Sequence, residues 1–326
     1  MSTMERIIDI LGIREEVQKI VKETITMVLY KFQPIPWKYW EEIADLLDII
    51  KFGWTTPIIV KKSFLLDVIR VFKELGLNIM NGGTLIEFAY SKNKVKETLD
   101  ILNKYEFDYI EVSTGSIMIP VDKIQDIIDL ALDQGFKVVF ELGEKKYTTT
   151  RTISHFIEIG TKLLHKDIEF FIIEGRESGK NTILFDDAGK VLWDNVLKLV
   201  EVFGLDRIMF EAPMVYQQAE FINAFGPFVK LGNIAPEDVV PLMTLRLGIR
   251  GDTFLYSSNK KLDLTPSAKF TMYILEKHGP SSIDRLTNLT GLPERTIRES
   301  IKILNELGYI KEVRRIGRKK IWALQE

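Results

Sequence analysis

Eight short runs rich in β-branched and aromatic residues alternate with helical segments along roughly the first 260 residues. The runs are ITMVLYK (25–31), LDIIKFG (47–53), LNIMNGG (77–83), FDYIEVS (107–113), FKVVFELG (136–143), EFFIIEG (169–175), RIMFEA (207–212) and FVKLGN (228–233). Between them, segments such as SKNKVKETLDILNKY carry apolar residues at helical spacing, and Gly135 ends another such segment. Alternating strands and helices favour a parallel sheet, and eight units predict a (β/α)8 TIM-type barrel.

An open, doubly wound sheet is the alternative fold. Such sheets usually carry a glycine-rich dinucleotide loop after the first strand, but YKFQPIPW follows here. The absence of cysteine excludes disulfides and thiolate metal sites. No run of about 18 uncharged apolar residues occurs, and the first residues lack the apolar core of a signal peptide. These features predict a soluble, cytoplasmic protein.

Charged residues stand at the ends of most of the predicted strands. They are Lys31, Lys51, Glu111, Glu141, Glu174, Arg176 and Glu211, and Gly82 and Gly83 follow the third strand. Active sites of such barrels lie at the carboxyl ends of the strands. Carboxylates can hold Mg²⁺, while lysine and arginine neutralise a phosphate or carboxylate. The ring predicts an anion-binding site, although structural ion pairs at the barrel mouth would give the same pattern.

Five further segments resemble one known family, the phosphosulfolactate synthases. In chain order they are KFGWTT (51–56), GGTLIEFAYSKNK (82–94), IIEGRESGK (172–180), FEAP (210–213) and LRLGIRGDTF (245–254). The resemblance implies a (β/α)8 barrel that adds sulfite to phosphoenolpyruvate with Mg²⁺, at the opening of coenzyme M biosynthesis. It also implies that sulfite attacks the methylene carbon and that Lys145, after strand five, then protonates C2.

The expected site combines these residues. The expected catalytic residue is Lys145, and the expected substrate-binding residues are Lys51, Gly82, Gly83, Arg176, Glu177 and Arg250. The expected Mg²⁺ ligands are Glu111, Glu141 and Glu174. The glycines are expected to let backbone N–H groups approach the anion. A solvated pair between Glu177 and Lys180 is the alternative role for those two residues.

Three segments depart from the family pattern. Tyr30-Lys31-Phe32 stands where the family has Asp-Lys-Gly, Thr114 replaces an acid, and Glu144 replaces a lysine. A second hypothesis is therefore a transcription regulator whose barrel senses a small phosphorylated or sulfonated anion.

The charge distribution predicts two functional parts. From Leu262 to the end there are 12 Lys and Arg residues against 8 Asp and Glu residues, whereas the rest of the chain is acidic. The expected organisation is a helical extension (1–24), the barrel (25–261) and a C-terminal domain (262–326). Helical segments at 267–279, 281–291 and 293–308, followed by the strands YIKEV and KKIWAL, resemble a winged helix-turn-helix domain.

The basic residues of the C-terminal domain predict contact with DNA. The expected contacts are Arg295, Arg298 and Lys302 on the third helix, and Arg314, Arg315, Arg318, Lys319 and Lys320 on the wing. The alternative is a domain for dimerisation or protein docking. A single winged helix has a small footprint, so a homo-oligomer on a two-fold DNA site is expected.

Overall fold

The chain folds as an eight-stranded parallel barrel followed by a small C-terminal unit. The computed structural model describes residues 7–143, 152–253, 264–317 and 319–325. The barrel strands are β1 (Thr26–Tyr30), β2 (Ile49–Phe52), β3 (Asn78–Asn81), β4 (Tyr109–Ser113), β5 (Lys137–Leu142), β6 (Ile168–Ile173), β7 (Ile208–Glu211) and β8 (Lys230–Ile234). They pair in chain order, and β8 closes on β1. The predicted barrel is confirmed, and the alternative of an open sheet is wrong.

Helices surround this barrel and connect its strands. They are α1 (Ile7–Ile10), α2 (Arg14–Glu23), α3 (Trp37–Ile43), α4 (Lys62–Glu74), α5 (Thr84–Ser91), α6 (Val95–Lys104), α7 (Val121–Asp133), α8 (Ile153–Leu163), α9 (Trp193–Phe203), α10 (Val215–Phe225) and α11 (Val239–Arg246). Gly135 follows α7 with a φ of +86°, a conformation that glycine adopts without strain. Within the described ranges, no helix is both long and apolar enough to cross a membrane.

Side chains alternate between the inside of the barrel and the helix layer. On β2, Ile49 belongs to the inner cluster of the barrel, Ile50 belongs to the cluster shared with the helices, and Lys51 faces inward again. The other members of the inner cluster are Met27, Met80, Tyr109, Val139, Phe170, Ile172 and Met209. Period-two alternation therefore places an inward charge directly above an apolar layer. Glu111 above Tyr109 and Glu211 above Met209 follow the same rule.

Three helices and a small antiparallel sheet form the C-terminal unit. The elements are α12 (Pro266–His278), β9 (Ser281–Ser282), α13 (Ile283–Thr290), α14 (Glu294–Glu306), β10 (Ile310–Ile316) and β11 (Lys319–Leu324). The sheet order is β10-β11-β9. The side chains of Thr265 and Ser282 cap α12 and α13 by accepting backbone N–H groups. The three predicted helices and the hairpin are confirmed, whereas the two-residue strand β9 was not predicted.

Aromatic side chains join this unit to the barrel. Trp193 at the start of α9 packs against Phe270 of α12, with 5.2 Å between ring centroids, and Phe225 of α10 lies 6.2 Å from the same ring. The hydroxyl of Tyr273 donates a hydrogen bond to Glu220 of α10. Burial and this carboxylate raise the pKa of Tyr273. The two parts thus share one continuous core.

Candidate functional site

A cavity of about 600 Å³ opens at the carboxyl ends of the strands. The structure brings eight of the predicted site residues to its wall: Lys51, Gly82, Gly83, Glu111, Glu141, Glu174, Arg176 and Glu177. These residues come from segments far apart in the chain, and the closed barrel gathers them because every strand ends at the same rim. Trp54, Ser116 and Asn233 also line the cavity and were not among the expected site residues. Glu211, which belonged to the predicted ring of strand-end charges but had no expected role, lines it as well.

Lys51 is the centre of a buried ion-pair network. Its Nζ lies 2.6 Å from Glu111 Oε2 and 3.0 Å from Glu211 Oε1. Glu141 Oε2 is 3.5 Å away. Burial alone lowers the pKa of Lys51, but the surrounding carboxylates outweigh it and raise the pKa well above its ordinary value. Lys51 therefore keeps its positive charge within this network.

Three carboxylates form the set that best suits a metal ion. Glu141, Glu174 and Glu211 are buried, and one oxygen of each lies within 4.8 Å of the others. Glu111, one of the expected ligands, instead accepts the Gly83 N–H at 2.6 Å while pairing with Lys51. The converging set therefore differs from the expected one: it contains Glu211, which also pairs with Lys51 and accepts the Gly175 N–H, in place of Glu111.

Negative charge exceeds positive charge around the cavity. Among the described residues, four buried carboxylates (Glu111, Glu141, Glu174 and Glu211) face two cations, Lys51 and Arg176. Buried charges are costly unless they are balanced. A divalent cation would restore neutrality, and carboxylate oxygens are the ligands that Mg²⁺ and Ca²⁺ prefer.

The glycines at the strand ends allow these acids to approach the backbone. A Cβ added to Gly83 would lie 2.3 Å from Ser113 Oγ, and one added to Gly175 would lie 2.2 Å from the Glu211 carbonyl oxygen. At Gly143 the added atom would meet Glu174 Cβ at 2.1 Å. The N–H groups of Gly83 and Gly175 donate to Glu111 and Glu211. These two N–H groups thus hold carboxylates, although Gly83 was expected to offer its N–H to an anion.

Arg176 is placed by a strained loop after β6. Its φ is +55°, in the left-handed region that side chains other than glycine rarely adopt, and its carbonyl accepts a hydrogen bond from Asn233 Nδ2 at 3.0 Å. The next residue, Glu177, forms an ion pair at the rim with Lys31 at 2.6 Å. Glu177 therefore pairs with Lys31, and the alternative pair with Lys180 is not seen.

Other predicted residues lie away from the cavity wall. Arg250 follows α11 and pairs with Asp252 at 2.8 Å, so the structure does not bring it to the described cavity. Lys145 and Glu144 fall outside the described residues. Thr114 is buried but does not line the cavity.

Tyr30 also points away from the cavity. The preceding residue, Leu29, lines the cavity, so alternation turns Tyr30 outward, where its ring contacts Trp40 and Phe72. Phe32 has a φ of +58°, a conformation favoured by glycine, and its ring lies 5.1 Å from that of Tyr30. Tyr30 and Phe32, which replace the family's Asp and Gly, therefore form one aromatic pair.

Glu87 is a buried acid that sequence reasoning did not single out. It lies on α5 and accepts hydrogen bonds from the Ser113 hydroxyl and from the N–H groups of Ser116 (2.7 Å) and Ile117 (2.8 Å). Glu87 thereby fixes the loop after β4, which carries Ser116 into the cavity wall. An acid inside the otherwise apolar helix segment TLIEFAYS was the available signal.

The predicted DNA-contacting cations are mostly paired with acids of the C-terminal unit. On α14, Arg295 pairs with Glu299 (3.1 Å), Arg298 with Glu294 (2.5 Å) and Lys302 with Glu306 (3.9 Å). On the hairpin, Arg315 and Lys320 pair with Glu312, and Lys319 pairs with Asp284. Arg314 is exposed, and Arg318 falls outside the described residues. Exposed pairs of this kind are weak.

The profile of the family described as (2R)-phospho-3-sulfolactate synthase (ComA) matches residues 15–252. The chain belongs to the phosphosulfolactate synthase family. The phosphosulfolactate synthase of Methanocaldococcus jannaschii is 38% identical over 236 residues, which cover 71% of this chain and 93% of that protein. The synthase of Methanothermobacter thermautotrophicus is 34% identical, with 71% and 92% covered. That of Bacillus subtilis is also 34% identical, with 65% and 83% covered. The matched family region ends before the C-terminal unit.

Proposed function

We propose that the protein is a phosphosulfolactate synthase that adds sulfite to phosphoenolpyruvate. The observation that carries this proposal is the cavity at the carboxyl rim of the barrel, which is lined by Lys51, Arg176 and four buried carboxylates. Membership of the family supports the reaction, and the mixed charges of the site suit an anionic substrate that binds together with a divalent cation.

The carboxylates fit a Mg²⁺ ion. Glu141, Glu174 and Glu211 would hold it, since their oxygens converge and the site carries excess negative charge. When bound, Mg²⁺ would stabilise the negative charge that develops on the substrate carboxylate. Lys51 competes for two of these acids, at 3.0 Å from Glu211 and 3.5 Å from Glu141, so it limits the charge that the ion must neutralise.

The remaining roles follow from the positions of the charged groups. Arg176 would bind the phosphate or carboxylate of the substrate, because its guanidinium always carries a proton and offers several donors. Sulfite would form a carbon–sulfur bond at the methylene carbon, the C=C double bond would be lost and C2 would accept one proton. Lys145 remains the proposed donor of that proton on the strength of the resemblance alone.

Two departures from the family pattern leave the described cavity wall intact. Tyr30 points into the helix layer, and Phe32 packs against it, so neither places a new group inside the cavity. All four buried carboxylates and Lys51 are present despite these changes. This arrangement favours a retained enzyme over a sensor that has lost its chemistry.

A turnover assay with purified protein tests the proposal. We expect phosphoenolpyruvate and sulfite to be consumed one for one in the presence of Mg²⁺, with product detected by phosphorus NMR. Groups that only orient a metal ligand contribute about 10–100-fold. Loss of a ligand in Glu174→Gln should therefore lower Mg²⁺-dependent turnover by at least about 100-fold.

The matched control for that variant is Glu169→Gln. Glu169 lies on the same strand, β6, but is exposed to solvent. The Glu169→Gln variant should therefore have the same turnover as the wild type. Absence of product at every Mg²⁺ concentration would refute the synthase proposal, and turnover that persists in Glu174→Gln would remove this residue from the metal site.

A second candidate function, contact with DNA, concerns the C-terminal unit. We propose that it is a winged helix, because the order helix, short strand, two helices and hairpin matches that architecture. The hairpin would approach the phosphate backbone through Arg314 and Arg315. Since the ion pairs on α14 are exposed, phosphates could replace the acids that now neutralise its cations.

Salt dependence separates this candidate from a protein-docking role. The full chain should bind duplex DNA with an affinity that falls steeply as salt rises. Replacing Arg314 and Arg315 by alanine should weaken all duplexes about equally and flatten that dependence. Binding that ignores salt, or a double variant that binds like the wild type, would contradict DNA contact through the hairpin.

A further inference from the structure

The segment from Glu174 to Trp193 connects the cavity to the C-terminal unit. Its first residues, including Glu174 and Arg176, line the cavity. Its last residue, Trp193, packs against Phe270 of α12. One continuous stretch of chain therefore lines the cavity at one end and contacts the additional unit at the other.

Gln217 of α10 holds this segment at two points. Its side chain is fully buried, and Nε2 donates to the carbonyl oxygens of Gly179 (2.8 Å) and Gly189 (3.0 Å). Its Oε1 accepts the Met214 N–H at 3.2 Å. Both donors of the amide are thus used on the segment, and removing them would leave two carbonyl groups without these partners.

The same helix also contacts the C-terminal unit. Glu220 accepts hydrogen bonds from Tyr273 and from Lys277, the latter at 3.3 Å. Phe221 stacks on Phe210 of β7, with ring centroids 4.5 Å apart. The residue after Phe210 is Glu211, one of the proposed metal ligands. Helix α10 therefore contacts the segment, the strand that carries a ligand, and α12.

We propose that docking of the C-terminal unit and the shape of the synthase site are coupled through segment 174–193 and α10. The unit would thereby regulate anion binding in its own chain, and by linkage the bound anion would stabilise the docked unit to the same extent. Only the identity of the anion rests on the proposed function. The matched family region ends at residue 252, before this unit. The proposed regulation would therefore come from a part of the chain that the family match does not cover.

Hydrogen exchange of the full chain, read by mass spectrometry, tests the coupling without any ligand. Gln217→Ala should speed amide exchange in α12 by about 5-fold, the lower end of typical coupling. The control is Gln218→Ala: Gln218 is equally buried on the same helix but donates to Ala212 at the end of β7. Exchange in α7, which packs against β4 and β5, should stay unchanged and thereby exclude general unfolding. Equal exchange of α12 in the two variants would overturn the proposal.

Adding phosphoenolpyruvate and Mg²⁺ provides the second arm. In the wild type we expect slower exchange in segment 174–193 and in α12, whereas Gln217→Ala should lose the effect on α12. Protection of the segment without any change in α12 would also overturn the coupling. If the ligand protects neither region while Gln217→Ala still loosens α12, the proposed substrate is wrong and the coupling stands.

Discussion

Replacing Lys51 by methionine tests the charge balance of the site. Lys51 is 6% exposed, and its Nζ lies within 3.5 Å of Glu111, Glu141 and Glu211. Removing one partner of a buried ion pair costs about 3–5 kcal/mol, because the other charges remain buried without compensation. For a chain of this size, 1 kcal/mol shifts the melting temperature by about 2 °C. We therefore expect Lys51→Met to melt about 6–10 °C below the wild type at pH 8.

The responses to pH and to Mg²⁺ identify the cause of that loss of stability. The folded-state pKa of Lys51 is raised, so its stabilising contribution is fully present below its ordinary pKa of 10.5 and is lost only as the pH rises through the folded value. In the wild type this contribution is thus constant between pH 5 and pH 8. Mg²⁺ should narrow the deficit of the variant at pH 8, because the cation would compensate the buried carboxylates that the substitution leaves without Lys51.

Circular dichroism melts of the variant and one control provide the measurement. The control is Lys73→Met, since Lys73 pairs with Asp108 at 2.6 Å but both side chains are a quarter to a third exposed. Its loss should be no more than about 1 kcal/mol. A melting temperature for Lys51→Met that matches the wild type at pH 8, or a deficit at pH 8 that Mg²⁺ does not narrow, would refute the reasoning.

Two further predictions concern residues outside the cavity. Burial raises the pKa of Asp48 from 3.8 to about 6, against the opposing effects of the Thr26 N–H and Arg246, so its contribution to stability should fall as pH rises from about 4 to 6. Asp48→Asn should remove up to about 3 kcal/mol of this pH dependence in melts at each pH, because asparagine does not titrate. The fold should be kept, since the amide oxygen can still accept the Thr26 N–H. Tyr30 and Phe32 should show a coupling energy of about 0.5–1.5 kcal/mol in a double-mutant cycle with leucine, measured by urea unfolding, and a value of zero would contradict their pairing.

The strands and their charged ends could be predicted because a barrel strand is apolar on both faces. Strand β6 carries FFII followed at once by Glu174, and this abrupt change marks the rim whatever the exact register. The orientation of Tyr30 could also be predicted from the alternation of side chains along a strand, since Leu29 and Tyr30 must face opposite sides of the sheet. Applying that period to β1 would have removed Tyr30 from consideration as a site position.

The partners within the site could not be predicted from the sequence. Glu211 rather than Glu111 joins Glu141 and Glu174 in the converging set, and this depends on distances between side chains of different strands, which the sequence does not contain. Arg250 belongs to a long family-like motif, but its position depends on the path of the chain after α11. The ion pairs of α14, by contrast, could have been predicted from the sequence. Glu294, Glu299 and Glu306 stand one helical turn from the cations with which they pair.

The aromatic contact between α9, α10 and α12 has a consequence for synthesis. Domains generally fold from the N-terminus as the chain emerges at about 5–20 residues per second. The barrel is complete before the residues after Thr253 are made, so Trp193 and Phe225 lack Phe270 as their partner for a few seconds to about 15 s in each round of translation. During that interval the nascent barrel presents an uncovered aromatic surface, on which ribosome-associated chaperones would act and from which aggregation would begin if translation were interrupted.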